Sequence, residues 1–83
     1  MADMAERAIM ERKSVTTATF IGASIRRLRM EHGKTQQQLG EFLGYGATTI
    51  ANYESGTRLP NLETFLEIAV HYNAEIRDFI LHS

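Results

Sequence analysis

The stretch Thr35-Gln36-Gln37-Gln38-Leu39-Gly40-Glu41-Phe42-Leu43-Gly44-Tyr45-Gly46-Ala47-Thr48-Thr49-Ile50-Ala51-Asn52-Tyr53-Glu54 decides how this chain folds. Thr35 with Gln38 three residues on is a capping box, in which side chain and backbone satisfy each other's free donors at a helix start. Leu39, Phe42 and Leu43 then form the apolar stripe of a short helix that Gly44 closes. Tyr45-Gly46 leaves room only for a turn, and Ile50 and Tyr53, three apart, mark the inner side of another short helix over about 47–54. Two short helices joined so tightly cross steeply instead of lying antiparallel. A glycine inside a helix costs about 1 kcal/mol relative to alanine, so Gly40 predicts a backbone passing too close for a Cβ.

Outward from this pair, the apolar residues keep recurring at three and four. Ile21, Ile25 and Leu28 line a first helix from about Phe20 to Glu31, ended by Gly33. Downstream, Pro60 keeps the residue before it out of a helix, and Asn61 is a good N-cap for a fourth helix with Leu62, Phe65, Leu66 and Ala69 as its expected buried face. Asn73 can take the left-handed conformation that ends a helix, and Ile76, Phe79 and Ile80 supply a last amphipathic turn or two. The expected fold is all-α, a compact bundle of five helices over residues 20–83. Residues 1–19 read as a short N-terminal arm, either a disordered leader or an ordered arm on a partner subunit or ligand, because Ser14 to Thr19 has a helix-poor, extended composition.

The 83 residues limit the chain to one core, and 43% hydrophobic residues suffice to build it. With no cysteine, packing alone must stabilise it, which fits a reducing cytoplasm. No apolar run approaches the length of a membrane span, and no hydrophobic signal core opens the chain. The net charge of −1 hides an asymmetry. Residues 20–60 carry Arg26, Arg27, Arg29, Lys34 and Arg58 against Glu31, Glu41 and Glu54, whereas in residues 61–83 Glu63, Glu67, Glu75 and Asp78 face only Arg77. A positive middle and a negative tail imply one face for a polyanion and another kept away from it.

Short helices leave little room for a substrate-enclosing cleft, and no nucleophile elbow, phosphate loop or paired-carboxylate motif is present, so an enzyme is not expected. His71 and Glu75, like Asp78 and His82, are four apart, a metal-ligand spacing on a helix, but Asn73 falls between the pairs. Ordinary surface histidines, no metal and no cofactor are expected. A steep pair of short helices is instead the helix-turn-helix, in which one helix lies against a phosphate backbone and the next enters the major groove of DNA.

Several segments in register support that reading: Ile25-Arg26-Arg27-Leu28-Arg29, Gly33-Lys34-Thr35-Gln36, the Thr35–Gly44 helix, Thr49-Ile50-Ala51-Asn52-Tyr53-Glu54-Ser55-Gly56 and Arg58-Leu59-Pro60. Together they resemble the phage-repressor-like helix-turn-helix family that includes Cro and XRE regulators, over about residues 21–81. The resemblance implies the lambda-repressor-like five-helix bundle and sequence-specific binding of double-stranded DNA by a transcriptional regulator, most simply a repressor. Helix three would read bases through Ala47, Thr48, Ala51 and Asn52, with Asn52 suited to an adenine edge and Thr48 to a thymine methyl. Phosphate contacts would fall to Gln36, Gln37, Thr49, Arg58 and Lys34. Arg29 and Glu54 match a structural ion pair of the family. The chain departs from the common pattern where arginine, lysine or glutamine often stands at Ala47 and Asn52, and where serine or threonine often caps helix three at Gly46. The implied state is a homodimer on a pseudo-palindrome in a bacterial or phage-bearing cytoplasm, associated with the nucleoid, with no membrane and no small-molecule substrate. The alternative is an antitoxin or adaptor-type module of the same fold, whose principal or regulatory partner is a protein.

Overall fold

The computed structural model describes residues 4–75 and 77–80, with side chains for residues 17–75, 77 and 79. The described residues are all-helical: α1 (Met4–Glu31), α2 (Gln36–Leu43), α3 (Ala47–Ser55), α4 (Leu62–His71) and the single turn α5 (Arg77–Ile80). The bundle therefore has four helices of two turns or more. The fifth expected helix is reduced to one four-residue turn, and Ile76 lies outside the described residues.

The helix starts follow their caps. Thr35 accepts from the Gln38 backbone while the Gln38 side chain bonds the Thr35 backbone, completing the capping box of α2. Asn61 accepts from the Thr64 backbone at 2.8 Å and starts α4. Asn73, with φ of 52°, is left-handed just past the end of α4, as its residue type allows. This break separates His71 from Glu75, and among the described residues no group of three potential metal ligands forms; His82 and the Asp78 side chain lie outside the described residues.

Ile25 and Leu28 of α1, Leu39 of α2, Ile50 and Tyr53 of α3, Ile68 and Ala69 of α4, Tyr72 and Phe79 form one buried cluster. Each large apolar side chain taken from water here contributes about 1.5–3 kcal/mol. The close approaches that hold the cluster together run through two glycines. A Cβ on Gly40 would stand 2.5 Å from the Tyr45 carbonyl oxygen and 3.2 Å from Gly46, so the backbone that needs the space is the turn between α2 and α3. Gly22 does the same between α1 and α3, where a Cβ would strike the carbonyl oxygens of Tyr53 and Glu54.

Three expectations are corrected. The first helix, expected from Phe20, begins at Met4 and continues through Ser14 to Thr19 without a break. Extending a helix already nucleated avoids the costly first turn, and the propensity deficit of threonine or serine is only about half a kcal/mol per residue. The backbone at Ala18 and Thr19 also meets Gly56, with a Cβ there 3.3 Å from the Thr19 Cα, so the end of α3 supports α1. Second, Leu62 and Leu66 are exposed, and α4 buries Thr64, Ile68 and Ala69, with Phe65 packed alongside. The sequence of α4 is apolar on two adjoining faces, so spacing alone does not select the inner one. Third, Phe42 is 50% exposed and Leu39 carries the core contact of α2.

The Gly40 contact is testable by calorimetry. Gly40→Ala is expected to destabilise the chain by about 1–3 kcal/mol through overpacking. Gly46→Ala, with no atom within 4 Å of its new Cβ, is expected to cost less than about 1 kcal/mol. Equal melting temperatures for the two variants would remove the close approach.

Candidate nucleic-acid interface

Successive residues of a helix are 100° apart, so burying Ile50 and Tyr53 turns Thr48, Ala51, Asn52 and Ser55 to the other side of α3 and leaves Ala47, three residues before Ile50, on the flank. Thr48 and Ser55 are exposed, and Ala47, Ala51, Asn52 and Thr49 are half-buried. Arg26 of α1 and Gln36 of α2 border this face beside Ala51 and Ser55, and Thr48 is exposed beyond them. Among the described residues no hydrogen bond holds the Asn52 carboxamide, which leaves its donor and acceptor to the outside. At the end of the helix the Asn52 carbonyl accepts from the Arg58 backbone N–H at 3.1 Å and from the Ser55 hydroxyl at 3.1 Å. The loop carrying the exposed Arg58 side chain is thereby held beside α3.

Beneath α3 lies the polar anchor. Arg29 donates from Nε to Glu54 Oε2 at 2.6 Å and from Nη2 to Glu54 Oε1 at 3.0 Å, a bidentate pair whose side chains are only 12% and 4% exposed. Its remaining nitrogen Nη1 donates to the Lys34 carbonyl at 2.7 Å. Gln36 Nε2 donates to Glu54 Oε1 at 3.2 Å. The Arg29–Glu54 pair thus ties the end of α1, the turn after it, the start of α2 and the end of α3. The Glu54 hydrogen bond raises the Arg29 pKa above its ordinary value, outweighing the desolvation that lowers it. A raised folded-state value for a cation contributes stability fully present below the unfolded pKa and lost only as pH rises through the folded one. The Arg29 guanidinium is therefore charged throughout the neutral range.

Arg29, Gln36, Ala51 and Glu54 line a cleft of about 300 Å³ together with Arg26 and Ser55. From sequence alone Arg26 reads either as DNA-facing or, more commonly, as part of a charged outer face of the first helix, and Ser55 carries no site role. The signal was present in the spacing, because Arg26 precedes Arg29 by three and Ser55 follows Ala51 by four, so each shares a helix face with a residue already singled out. Lys34 and Gln37 are exposed on the turn before α2 and its first turn, where Gln37 Nε2 donates to Glu41 Oε1 at 3.4 Å. No hydrogen bond joins either side chain to α3 among the described residues. The exposed cations Arg26, Lys34 and Arg58 come from three separate segments, and the acid nearest to α3, Glu54, is neutralised internally by Arg29.

Removing the charge from Glu54 leaves a buried guanidinium without its carboxylate, a loss of about 3 kcal/mol. Glu54→Gln is accordingly expected to lower the melting temperature by on the order of 10 °C. A thermal transition unchanged from that of the parent chain would show that the bridge does not hold the bundle.

Comparison with known proteins bears on the same elements. A family model described as helix-turn-helix matches residues 25–79, which spans the latter part of α1 through α5. A transcriptional repressor, RstR of the cryptic phage CTXphi from Vibrio cholerae, is 34% identical over 64 residues, covering 77% of this chain and 58% of that protein. The chain thus spans somewhat more than half the length of that relative. No solved structure gave a significant match. The model match takes in the capped pair of helices, the turn that requires Gly40 and both ends of the Arg29–Glu54 bridge. On that match and that geometry, the chain belongs to the helix-turn-helix family of Cro- and XRE-like proteins.

Proposed function

We propose that the protein is a sequence-specific DNA-binding transcriptional regulator, acting as a repressor by occupying a promoter. The observation that carries this reading is the uncovered outer face of α3, with Thr48, Ala51 and an Asn52 carboxamide directed outward from a helix anchored by Glu54. A rod of this diameter fits the major groove, and a carboxamide can pair with the two exposed groups of adenine. Ala47 and Ala51 offer only packing, which suits a thymine methyl. The base code on this face is therefore short, and DNA deformability supplies part of the selection.

Around that face Gln36, Gln37, Thr49, Lys34 and Arg58 would take phosphates, and Arg26 at the rim of the cleft is positioned to join them. The Glu54 hydrogen bond sets the orientation of Gln36, so its second amide N–H is directed before DNA arrives. Pre-setting a polar side chain in this way reduces the entropy lost on binding. The relative's role as a phage transcriptional repressor supports repression here.

One bundle of this size reads a half-site, so the working form in this proposal is a homodimer on a pseudo-palindrome, with two copies of α3 in successive major grooves about 34 Å apart. Residues 20–83 would form the DNA-binding unit and residues 1–19 an appendage to it, in a cytoplasmic, nucleoid-associated protein. Nothing in this reading calls for catalysis, a metal or a cofactor. The net charge of −1 limits how many phosphates can be neutralised, so binding to unrelated DNA should be weak and fade with salt.

The test is a gel-shift selection against random fragments of the source genome at two salt concentrations, followed by two variants on the selected fragment. Asn52→Ala is expected to reduce discrimination at one base position by about 1–3 kcal/mol, or roughly ten- to a hundredfold. Gln36→Ala is expected to weaken all sequences alike. Unchanged base selection in Asn52→Ala would mean that α3 is not the reader. Failure to retain any fragment at low salt would favour the module whose partner is a protein.

A further inference from the structure

On the side formed by the end of α2 and the outer face of α4 lies a second groove, of about 520 Å³, that shares no residue with the reading face of α3 or with the Arg29–Glu54 anchor. Its walls are Phe42 on one side and Leu66 and Val70 on the other, 50%, 40% and 79% exposed. Scattered apolar residues on a surface need no explanation, but a contiguous group does. The Phe42 ring is held in place by stacking on His71, with centroids 3.8 Å apart and planes 19° from parallel, so the wall is formed before anything binds. Glu63 and Glu67, one helical turn apart, stand between the walls, and neither has an ion-pair partner among the described residues.

This combination restricts the occupant. Two carboxylates repel a phosphate backbone, so DNA is not expected here. A second copy of the chain, seated by a two-fold axis, would bring the same patch of each copy together and gather four carboxylates, Glu63 and Glu67 from each, into one contact, a like-charge juxtaposition that opposes association. We propose that the groove takes an amphipathic helix of another protein, with apolar side chains against Phe42, Leu66 and Val70 and lysine or arginine on Glu63 and Glu67. Helix-in-groove recognition of this type places anchors three, four and seven residues apart, which matches a floor one to two turns long. The surface would give a regulatory protein a hold on this chain away from α3.

The experiment uses the full chain and three synthetic helical peptides: one with leucines at that spacing flanked by lysines, one with glutamates in place of the lysines, and one with serines in place of the leucines. Fluorescence anisotropy is expected to show the lysine–leucine peptide binding at least tenfold more tightly than either control. In the Glu63→Lys/Glu67→Lys double variant the preference between lysine and glutamate peptides should reverse. Val70→Asp should weaken the lysine–leucine peptide by about tenfold. All three positions are exposed, so circular dichroism should show the same helical fold and cooperative melt, lowered by only a few degrees where Glu63→Lys reverses the favourable charge in the first turn of α4, and retention of selected DNA by these variants reads the α3 proposal separately. Equal affinity for the lysine and glutamate peptides, no binding of any peptide, or a preference unmoved by charge reversal would overturn the inference. So would sedimentation of the parent chain as a dimer that Val70→Asp dissociates, since a second copy would then cover the groove.

Discussion

The bidentate contact between Arg29 and Glu54 is the constraint on which the geometry of the rest depends. A buried ion pair is not in itself a large source of stability, because desolvating both charges offsets most of their attraction. Its effect is positional. Arg29 has one planar fork, and two of its nitrogens are committed to Glu54 while the third meets the Lys34 carbonyl. The end of α1 and the turn after it are thereby fixed to α3, 25 residues on, and any rotation of α3 that moved Asn52 off its outward direction would withdraw Glu54 from that point. Apolar packing through Ile50 and Tyr53 supplies the free energy of burial, and the charged network selects one orientation among the packings that burial permits.

Backbone contact supplies the second constraint. Where α1 crosses the end of α3, and where the turn closes over α2, side chains are absent at Gly22 and Gly40 because carbonyl oxygens occupy the space. These approaches bring short helices close enough for a chain of 83 residues to assemble a single core. They also leave α3 with Ile50 and Tyr53 buried and with Thr48 and Ser55 exposed on the opposite side.

Much of this could be read from residue types and spacing, and the failures have physical causes. Thr35 with Gln38, Asn61 and Asn73 act through local chemistry, which is why the starts of α2 and α4 and the end of α4 fell where they were expected. The pairing of Arg29 with Glu54, implied by family resemblance, appears with its predicted partners, although the link to Gln36 was not anticipated, because no local spacing connects residues 18 apart. The inner face of α4 was misread for a different reason. Leu62, Leu66 and Val70 compete with Phe65, Ile68 and Ala69 on adjoining sides, and only the packing of α4 against the rest of the bundle, through Thr64 on Tyr45 and Phe65 on Phe79, decides between them. The continuation of α1 through Ser14 to Thr19 likewise depends on a neighbour, the end of α3 at Gly56, which composition alone does not reveal. Of the candidate interface residues, those on α3 follow from its buried stripe, whereas the positions of Arg26 and Ser55 beside them are set by the cleft that α1, α2 and α3 form together.

Whether the outer side of α3 meets base edges is open to direct chemical measurement. Methylation of guanine N7 by dimethyl sulfate blocks the major groove and leaves the backbone untouched. On a fragment selected by the protein, interference is predicted in two clusters of major-groove positions separated by about one helical turn, 10–10.5 base pairs. Interference confined to minor-groove adenine N3, or binding indifferent to methylation at every position, would contradict the account.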